Sequence, residues 1–309
     1  MSSPSEPGGG GPDPSLSLIM SEQRVLINLA YRLLGSLTEA EDAVQEAYAR
    51  WYAMSRPQQE AIENPGAWLT TVASRICLDM LGSARARRET YVGAWLPEPL
   101  PGPAELPGGR PGSGSDPADR ITLDESVSMA FLVVLETMTP AERVAFILHD
   151  VFRHSFAEVA EITGRTPEAC RKLASAARRR VRSARSPAAP PARQAALVRD
   201  FKKAWAAGNI SALIGLLDPD ATVTADGGGL VTAALRPVEG AEQVARFYAG
   251  IIGTALDVTI LERTVNGRPG LVAQLDGVVT VFAFGVADDL IKHIWAVRNP
   301  EKLRPWTTG

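Results

Sequence analysis

Residues 155–185 read SFAEVAEITGRTPEACRKLASAARRRVRSAR, and the rest of the chain is best understood outward from this stretch. Ser155 with Glu158 three residues later is a capping box, in which hydroxyl and carboxylate satisfy free amides at a helix start. Phe156, Val159, Ala160 and Ile162 repeat at helical spacing until Gly164 ends the run. Thr166-Pro167 then opens a second helix, so a short helix, a tight glycine turn and a longer helix follow in succession, which is the helix-turn-helix pattern. From Arg165 to Arg185 eight basic residues stand against one acid, Glu168, a local charge of +7 in a chain whose formal charge is −3. Alone, such a run reads equally as a solvated basic helix. Directly after a helix-turn-helix it points to duplex DNA. Arg165, Thr166, Glu168, Arg171, Lys172 and Ser175 fall where a recognition helix reaches base edges, and Arg178, Arg179 and Arg182 where it holds phosphates. Arg171 suits a bidentate contact to a guanine edge.

The flanking sequence is helical too. Leu123, Val127, Ala130, Phe131 and Val134 make an apolar face, and Thr139-Pro140-Ala141-Glu142 combines a capping box with a proline in the first turn. Nearer the N-terminus, Leu26, Leu29, Ala30, Leu33 and Leu34 predict a helix ending at Gly35. Thr38-Glu39-Ala40-Glu41 predicts a capped helix buried through Ala40, Ala43, Val44, Ala47 and Trp51, and Asn64-Pro65 the start of a third. Beyond residue 195 the pattern changes. An amphipathic stretch from Leu197 to Leu217 precedes strand-like runs at 221–225, 230–235, 258–265, 271–275, 278–286 and 290–297, with a helix at 241–252. Asn266-Gly267 and Asp276-Gly277 supply hairpin turns. Pro- and Gly-rich stretches mark the joints. The predicted order is a disordered tail (1–14), a helical domain (15–90), a flexible linker (91–119), a helix-turn-helix domain (120–185), a short linker (186–194) and an α+β domain with a curved antiparallel sheet (195–309).

Composition narrows the function. The chain has 309 residues, 45% apolar and 22% charged, enough for several cores. No apolar stretch approaches a membrane span and no signal pattern opens the chain, so a cytoplasmic protein without membrane contact is expected. Two cysteines, Cys77 and Cys170, give neither a disulfide framework nor a four-ligand zinc site, so no metal and no cofactor are expected.

Three further groups carry candidate roles. Glu39, Asp42 and Glu46, with Gln45 beside them, form an acidic helix face that is either solvated or a dock for a basic partner. Trp68 is either a core aromatic or a ring on which an extruded base stacks, and Arg75, Arg85, Arg87 and Arg88 beside it favour nucleic acid. Trp95-Leu96-Pro97-Glu98-Pro99-Leu100 is an apolar, proline-stiffened hexapeptide inside a floppy linker. It is either a solvated turn or a segment that seeks a partner surface.

Together these blocks carry a resemblance. Leu29-Ala30-Tyr31-Arg32-Leu33-Leu34-Gly35, Ala40-Glu41-Asp42-Ala43-Val44-Gln45-Glu46 and Asn64-Pro65-Gly66-Ala67-Trp68-Leu69 resemble region 2 of bacterial extracytoplasmic-function sigma factors, and residues 139–182 resemble region 4. Residues 195–304 are similar to the SnoaL-like extension of one subgroup, as are the WLPEPL block, Asp226-Gly227-Gly228-Gly229 and Asn299-Pro300-Glu301-Lys302-Leu303. The resemblance implies a sigma factor that binds core RNA polymerase and promoter DNA. Glu39, Asp42, Ala43, Val44, Gln45 and Glu46 would dock on the coiled coil of the largest subunit. Asn64, Trp68, Arg75, Arg85, Arg87 and Arg88 would serve the minus-ten element, and the helix from Pro167 the minus-thirty-five element. It further implies that the extension sets activity in place of a separate anti-sigma protein, through Trp95, Leu96, Pro97, Pro99, Leu100, Asp226, Gly227, Asn299, Pro300, Lys302 and Leu303.

Other readings stay open. Related cones house enzymes, and His293 with Asp220 or Asp226 could form a dyad, with Ile291, His293 and Trp295 alternating on one strand face. A histidine packed at the cone is the plainer reading, and no enzyme is expected. A small-molecule ligand in the cone is left open. The alternative for the whole chain is a DNA-binding transcriptional regulator whose C-terminal domain senses such a molecule.

Overall fold

The computed structural model describes residues 14–102, 127–184 and 189–307, with the backbone alone at 14–21 and 84–89. The expected tail before Pro14, the linker at 103–119, Leu123, Arg185 and residues 186–188 lie outside the described residues. Helix α1 (Pro14–Leu34) closes on Gly35, whose φ of 72° suits a residue without a side chain. Helix α2 (Leu37–Ala53) begins one residue before the expected cap. Ser36, not Thr38, is its N-cap and accepts a hydrogen bond from the Glu39 amide. After α3 (Arg56–Glu60), α4 (Pro65–Glu89) starts as predicted, with the Asn64 carboxamide accepting from the Ala67 amide. The helices α5 (Met129–Glu136), α6 (Pro140–Phe146), α7 (Phe156–Thr163) and α8 (Pro167–Ala184) follow. Capping boxes stand at Thr139 and Ser155, and Gly164 is left-handed at φ 63°. One apolar core joins the two groups: Leu29, Leu33, Ala73 and Cys77 belong to the same cluster as Leu132, Val144, Ile147 and Val159. Both cysteines are free and buried in it.

The C-terminal part is the expected α+β unit. Helices α9 (Pro191–Ala206) and α10 (Ile210–Ile214) divide the predicted amphipathic stretch at Gly208, and Asn209 caps the second. The strands are β1 (Leu217–Asp226), β2 (Val238–Glu239), β3 (Val258–Val265), β4 (Arg268–Leu275), β5 (Val278–Ala287) and β6 (Leu290–Val297), with α11 (Ala241–Thr254) between β2 and β3. They form one sheet in the order β2-β1-β6-β5-β4-β3. It is mixed rather than wholly antiparallel, because β1 and β6 run parallel. Two-residue turns with positive φ, Asn266-Gly267, Asp276-Gly277 and Asp288-Asp289, close its hairpins. The run 230–235, expected as a strand, is a turn and loop. Gly228 and Gly229 take positive φ, and the Leu230 and Val231 amides fold back onto the Gly227 carbonyl, so no extended pairing forms there.

The sheet has two packed faces. Its inner face meets α9 and α11 through Phe201, Trp205, Tyr248, Phe282 and Phe284, with ring centroids 5.0–6.2 Å apart. Its outer face meets the linker, α5 and the C-terminal segment through Leu96, Met129, Val281, Trp295 and Leu303. A bulge in β6 overturns one expectation. His293 pairs with Gly285 but Ile291 with Val286, so Lys292 is an extra residue and the alternation inverts across it. Ile291 joins the inner core while Trp295 joins the outer one.

Candidate nucleic-acid interface

On α8, Thr166, Glu168, Arg171, Lys172, Arg179 and Arg182 are exposed, as is Arg165 in the preceding turn, while Ser175 is half-buried. Cys170, Ala174 and Ala177 turn the opposite face inward. The Thr166 hydroxyl accepts from the Ala169 amide at 3.2 Å and so starts the helix. The Arg171 guanidinium lies 5.5 Å from the centroid of Phe156, whose other neighbour is the His149 ring at 3.8 Å. Arg171 is thereby placed on an aromatic support. Lys172 is 2.9 Å from Glu168, an exposed pair of small worth. Arg178 donates at 2.7 Å to the half-buried Asp150 and so ties α8 to the π-helical segment Ile147–Val151 that follows α6.

On α2 the acidic face divides. Asp42, Gln45 and Glu46 are exposed, Glu46 pairing with Arg50 at 2.9 Å, and Glu39 is half-buried. Ala43 and Val44, grouped with them from the sequence, are each 1% exposed and belong to the helical core, so they support the face rather than form it. Trp68 is half-buried, 5.3 Å from Trp51 and packed on the helical core, as the core reading expects. Arg75 donates to the Glu161 carbonyl of α7 at 2.9 Å and lies 3.9 Å from its carboxylate. A face of α4 is therefore covered by the helix-turn-helix. The side chains of Arg85, Arg87 and Arg88 lie outside the described residues.

Between these surfaces the linker is clamped. Leu96, Pro97, Glu98, Pro99 and Leu100 are buried, and Trp95 is half-buried. Asp226, at 0% exposure, accepts from the Tyr91 hydroxyl (2.6 Å), the Leu96 amide (2.8 Å), the Gly228 amide (3.1 Å) and the Lys302 ammonium (2.7 Å). Lys302 also donates to the Leu96 carbonyl and sits 4.0 Å from the centroid of Trp95. Asn299 donates to the Tyr91 hydroxyl and caps the turn at Pro300–Lys302, while the Trp306 indole donates to the Pro99 carbonyl. Gly227 lies so close to the Val231 carbonyl that a side chain there would collide. The residues singled out in the linker, the glycine loop and the C-terminal block thus meet in one cluster.

Four members were missed from the sequence. Asn266, read only as a turn residue, accepts from the Leu100 amide and donates to both the Tyr31 hydroxyl and the Val127 carbonyl, joining linker, α1 and the approach to α5. Tyr31 donates in turn to the Glu98 carbonyl. Tyr91 carries no distinguishing local pattern. Glu98, passed over as the polar residue of an apolar block, accepts from the Leu37 amide at 2.7 Å and the Ser36 hydroxyl at 3.1 Å, a carboxylate from the linker at the N-terminus of α2.

Burial pushes the Glu98 carboxyl up from 4.5 to about 7, against the opposing effect of its hydrogen bonds and Lys302. Between pH 4.5 and 7 the folded chain then holds a proton that the unfolded chain has released, so this group's contribution to stability falls as pH rises through that window. In urea titrations, Glu98→Gln is expected to gain stability relative to the natural chain on going from pH 5 to pH 8. A constant offset between the two proteins would contradict this.

The suggested dyad is absent. His293 is exposed, with Nδ1 2.8 Å from the Thr222 hydroxyl, while Asp226 is engaged as above. The partial desolvation of its ring by the neighbouring packing lowers the His293 pKa, although the residue stays accessible to solvent. Among the described residues no cluster of His, Cys, Asp and Glu could hold a metal ion, and no helix is long and apolar enough to cross a membrane.

The family model for Sigma-70 region 2 matches residues 18–87 and that for Sigma-70 region 4 matches residues 128–181. The chain is 39% identical to the ECF RNA polymerase sigma factor SigJ of Mycobacterium tuberculosis over 90% of this chain and 89% of that protein. It is 32% identical to the probable ECF RNA polymerase sigma factor SigI of the same species over 95% and 96%. The crystal structure of M. tuberculosis SigJ superposes with a TM-score of 0.73 at 34% identity, covering 95% of this chain and all of that one, so the likeness extends through the C-terminal domain. Two sigma regions in the expected order, and likeness along the full length to such proteins, make this chain a member of the extracytoplasmic-function RNA polymerase sigma factors, which direct transcription initiation.

Proposed function

We propose that this sigma factor docks on core polymerase through the exposed acids of α2, serves the minus-ten element with α3, α4 and the segment between them, reads the minus-thirty-five element with α8, and is governed by its own C-terminal domain. The dock would be the coiled coil of the largest subunit, and no separate anti-sigma protein is required. The single observation that carries the regulatory part is the clamp at Asp226: a C-terminal lysine, a linker amide and a linker tyrosine converge on one fully buried carboxylate. Because Glu98 of the same linker caps α2, the clamp reaches the helix that carries the dock. A few kcal/mol of bias between compact and open arrangements suffices to set activity. The helical domains are binding elements, and no step of chemistry is assigned to the chain.

The dock is tested by Asp42→Arg. Asp42 is exposed, so the substitution leaves the core of α2 intact while reversing one charge. Retention of the chain by immobilised core polymerase is expected to fall at least tenfold, with unchanged helical circular dichroism. Equal retention would remove α2 as the dock.

A further inference from the structure

Between α6 and α7 the backbone departs from ordinary geometry twice. Ile147–Val151 is a π-helical turn, closed by the Phe152 amide on the Ile147 carbonyl, and Arg153 takes a left-handed φ of 63°, which a residue with a long side chain adopts only at a cost. Departures of both kinds gather at functional sites. The His149 ring ties this segment together. Its Nδ1 lies 2.7 Å from the His154 carbonyl, and because a carbonyl only accepts, that nitrogen carries the proton. Ser155 then caps α7 and sets Phe156 at its first position, where the Phe156 ring stacks on His149 with centroids 3.8 Å and planes 23° apart. The Arg171 guanidinium lies over the Phe156 ring, so His149, Phe156 and Arg171 form a column from the π-helical turn to α8. Asp150, next to His149, holds Arg178 of the same helix. Two consecutive residues of one π-helical turn therefore act on α8, one through rings and one through a carboxylate.

We infer that Phe156 and His149 are positioning residues for base selection, the ring column holding the Arg171 guanidinium in the orientation that meets a guanine edge. The inference rests on the reading of α8 at the minus-thirty-five element proposed above. An exposed arginine samples many rotamers, whereas a bidentate contact to guanine requires one plane. A ring engages the face of a guanidinium and leaves its N–H edge for a base. Part of the side chain's freedom is thus removed before DNA arrives, and the gain falls on the base pair that engages Arg171 rather than on binding in general.

The test is competition among promoter duplexes for polymerase assembled with the full chain, each base pair of the minus-thirty-five element being replaced in turn. Arg171→Ala marks the base pair whose guanine preference it removes, an expected loss of about tenfold or more. Phe156→Leu is expected to lower the preference at that same base pair about two- to fivefold and to leave the other positions unchanged. Phe156→Tyr keeps the ring and should retain the preference, while His149→Ala, which removes the ring behind Phe156, should lower it in the same direction. On the Arg171→Ala background, Phe156→Leu should change no preference further. A packing role alone weakens binding to every duplex alike, so a uniform loss with the preference intact in Phe156→Leu overturns the positioning role. An unchanged preference in His149→Ala would remove His149 from it. If Arg171→Ala removes no preference at any position, the reading of α8 fails, and the positioning role fails with it.

Discussion

Lys302→Met is expected to cost about 3–5 kcal/mol of folding stability, because it leaves a carboxylate buried without its cation. Asp226 is fully buried and Lys302 nearly so, and the ammonium also donates to the Leu96 carbonyl and packs on Trp95. Methionine preserves the apolar stem but supplies neither charge nor donor. The remaining donors to Asp226, from Tyr91, Leu96 and Gly228, place the loss toward the lower end. The linker is held by the same contacts, so the variant should also expand. Small-angle scattering would give a larger radius of gyration, and urea unfolding would split into two transitions. Asp226→Asn on the Lys302→Met background should recover part of the loss, giving a coupling energy well above the few tenths seen for independent sites. Unchanged scattering and an unchanged midpoint would mean that the clamp holds nothing.

Much of this architecture is legible in residue order. The capping boxes at Thr139 and Ser155, the Asn64 cap and the glycine stops at Gly35 and Gly164 act within a few residues of themselves, so local chemistry decides them. The hairpin turns at Asn266 and Asp276 are legible for the same reason. What escaped is tertiary. The start of α2 is shared with Glu98, 61 residues away, and no local pattern reports that partner. Asn266 carries a turn signal that hides its second task of joining Tyr31, Leu100 and Val127. The alternation assumed for β6 fails at Lys292, where one inserted residue exchanges the two faces. The basic count on α8 marks the helix but does not separate Arg178, paired with Asp150, from Arg171, Arg179 and Arg182, which remain exposed.

A second large effect follows from the cover on α4. In the compact chain Arg75 is engaged with Glu161 of α7, and the two helical groups share one core. On the proposed assignment, the helix-turn-helix and the helix that serves the minus-ten element sit against each other here, whereas reading both promoter elements at once would need them apart. It follows from that proposal that promoter binding opens this core and that attachment to polymerase offsets the cost of opening. Once both groups are held on one partner, two weak contacts act as a single strong one, a gain of about 100- to 10,000-fold. The isolated chain should accordingly bind a promoter fragment at least a hundredfold more weakly than the chain assembled with core polymerase. A DNA-binding regulator of the ordinary kind would show no such dependence.

The most direct measurement is a gel-shift titration of one promoter-length duplex, selected with the assembled enzyme, by the purified chain with and without core polymerase at the same salt concentration. A retarded complex that forms only when core is present is the expected result. Retardation by the chain alone at comparable concentrations would contradict the claim that the compact arrangement withholds its DNA-reading helices until polymerase engages them.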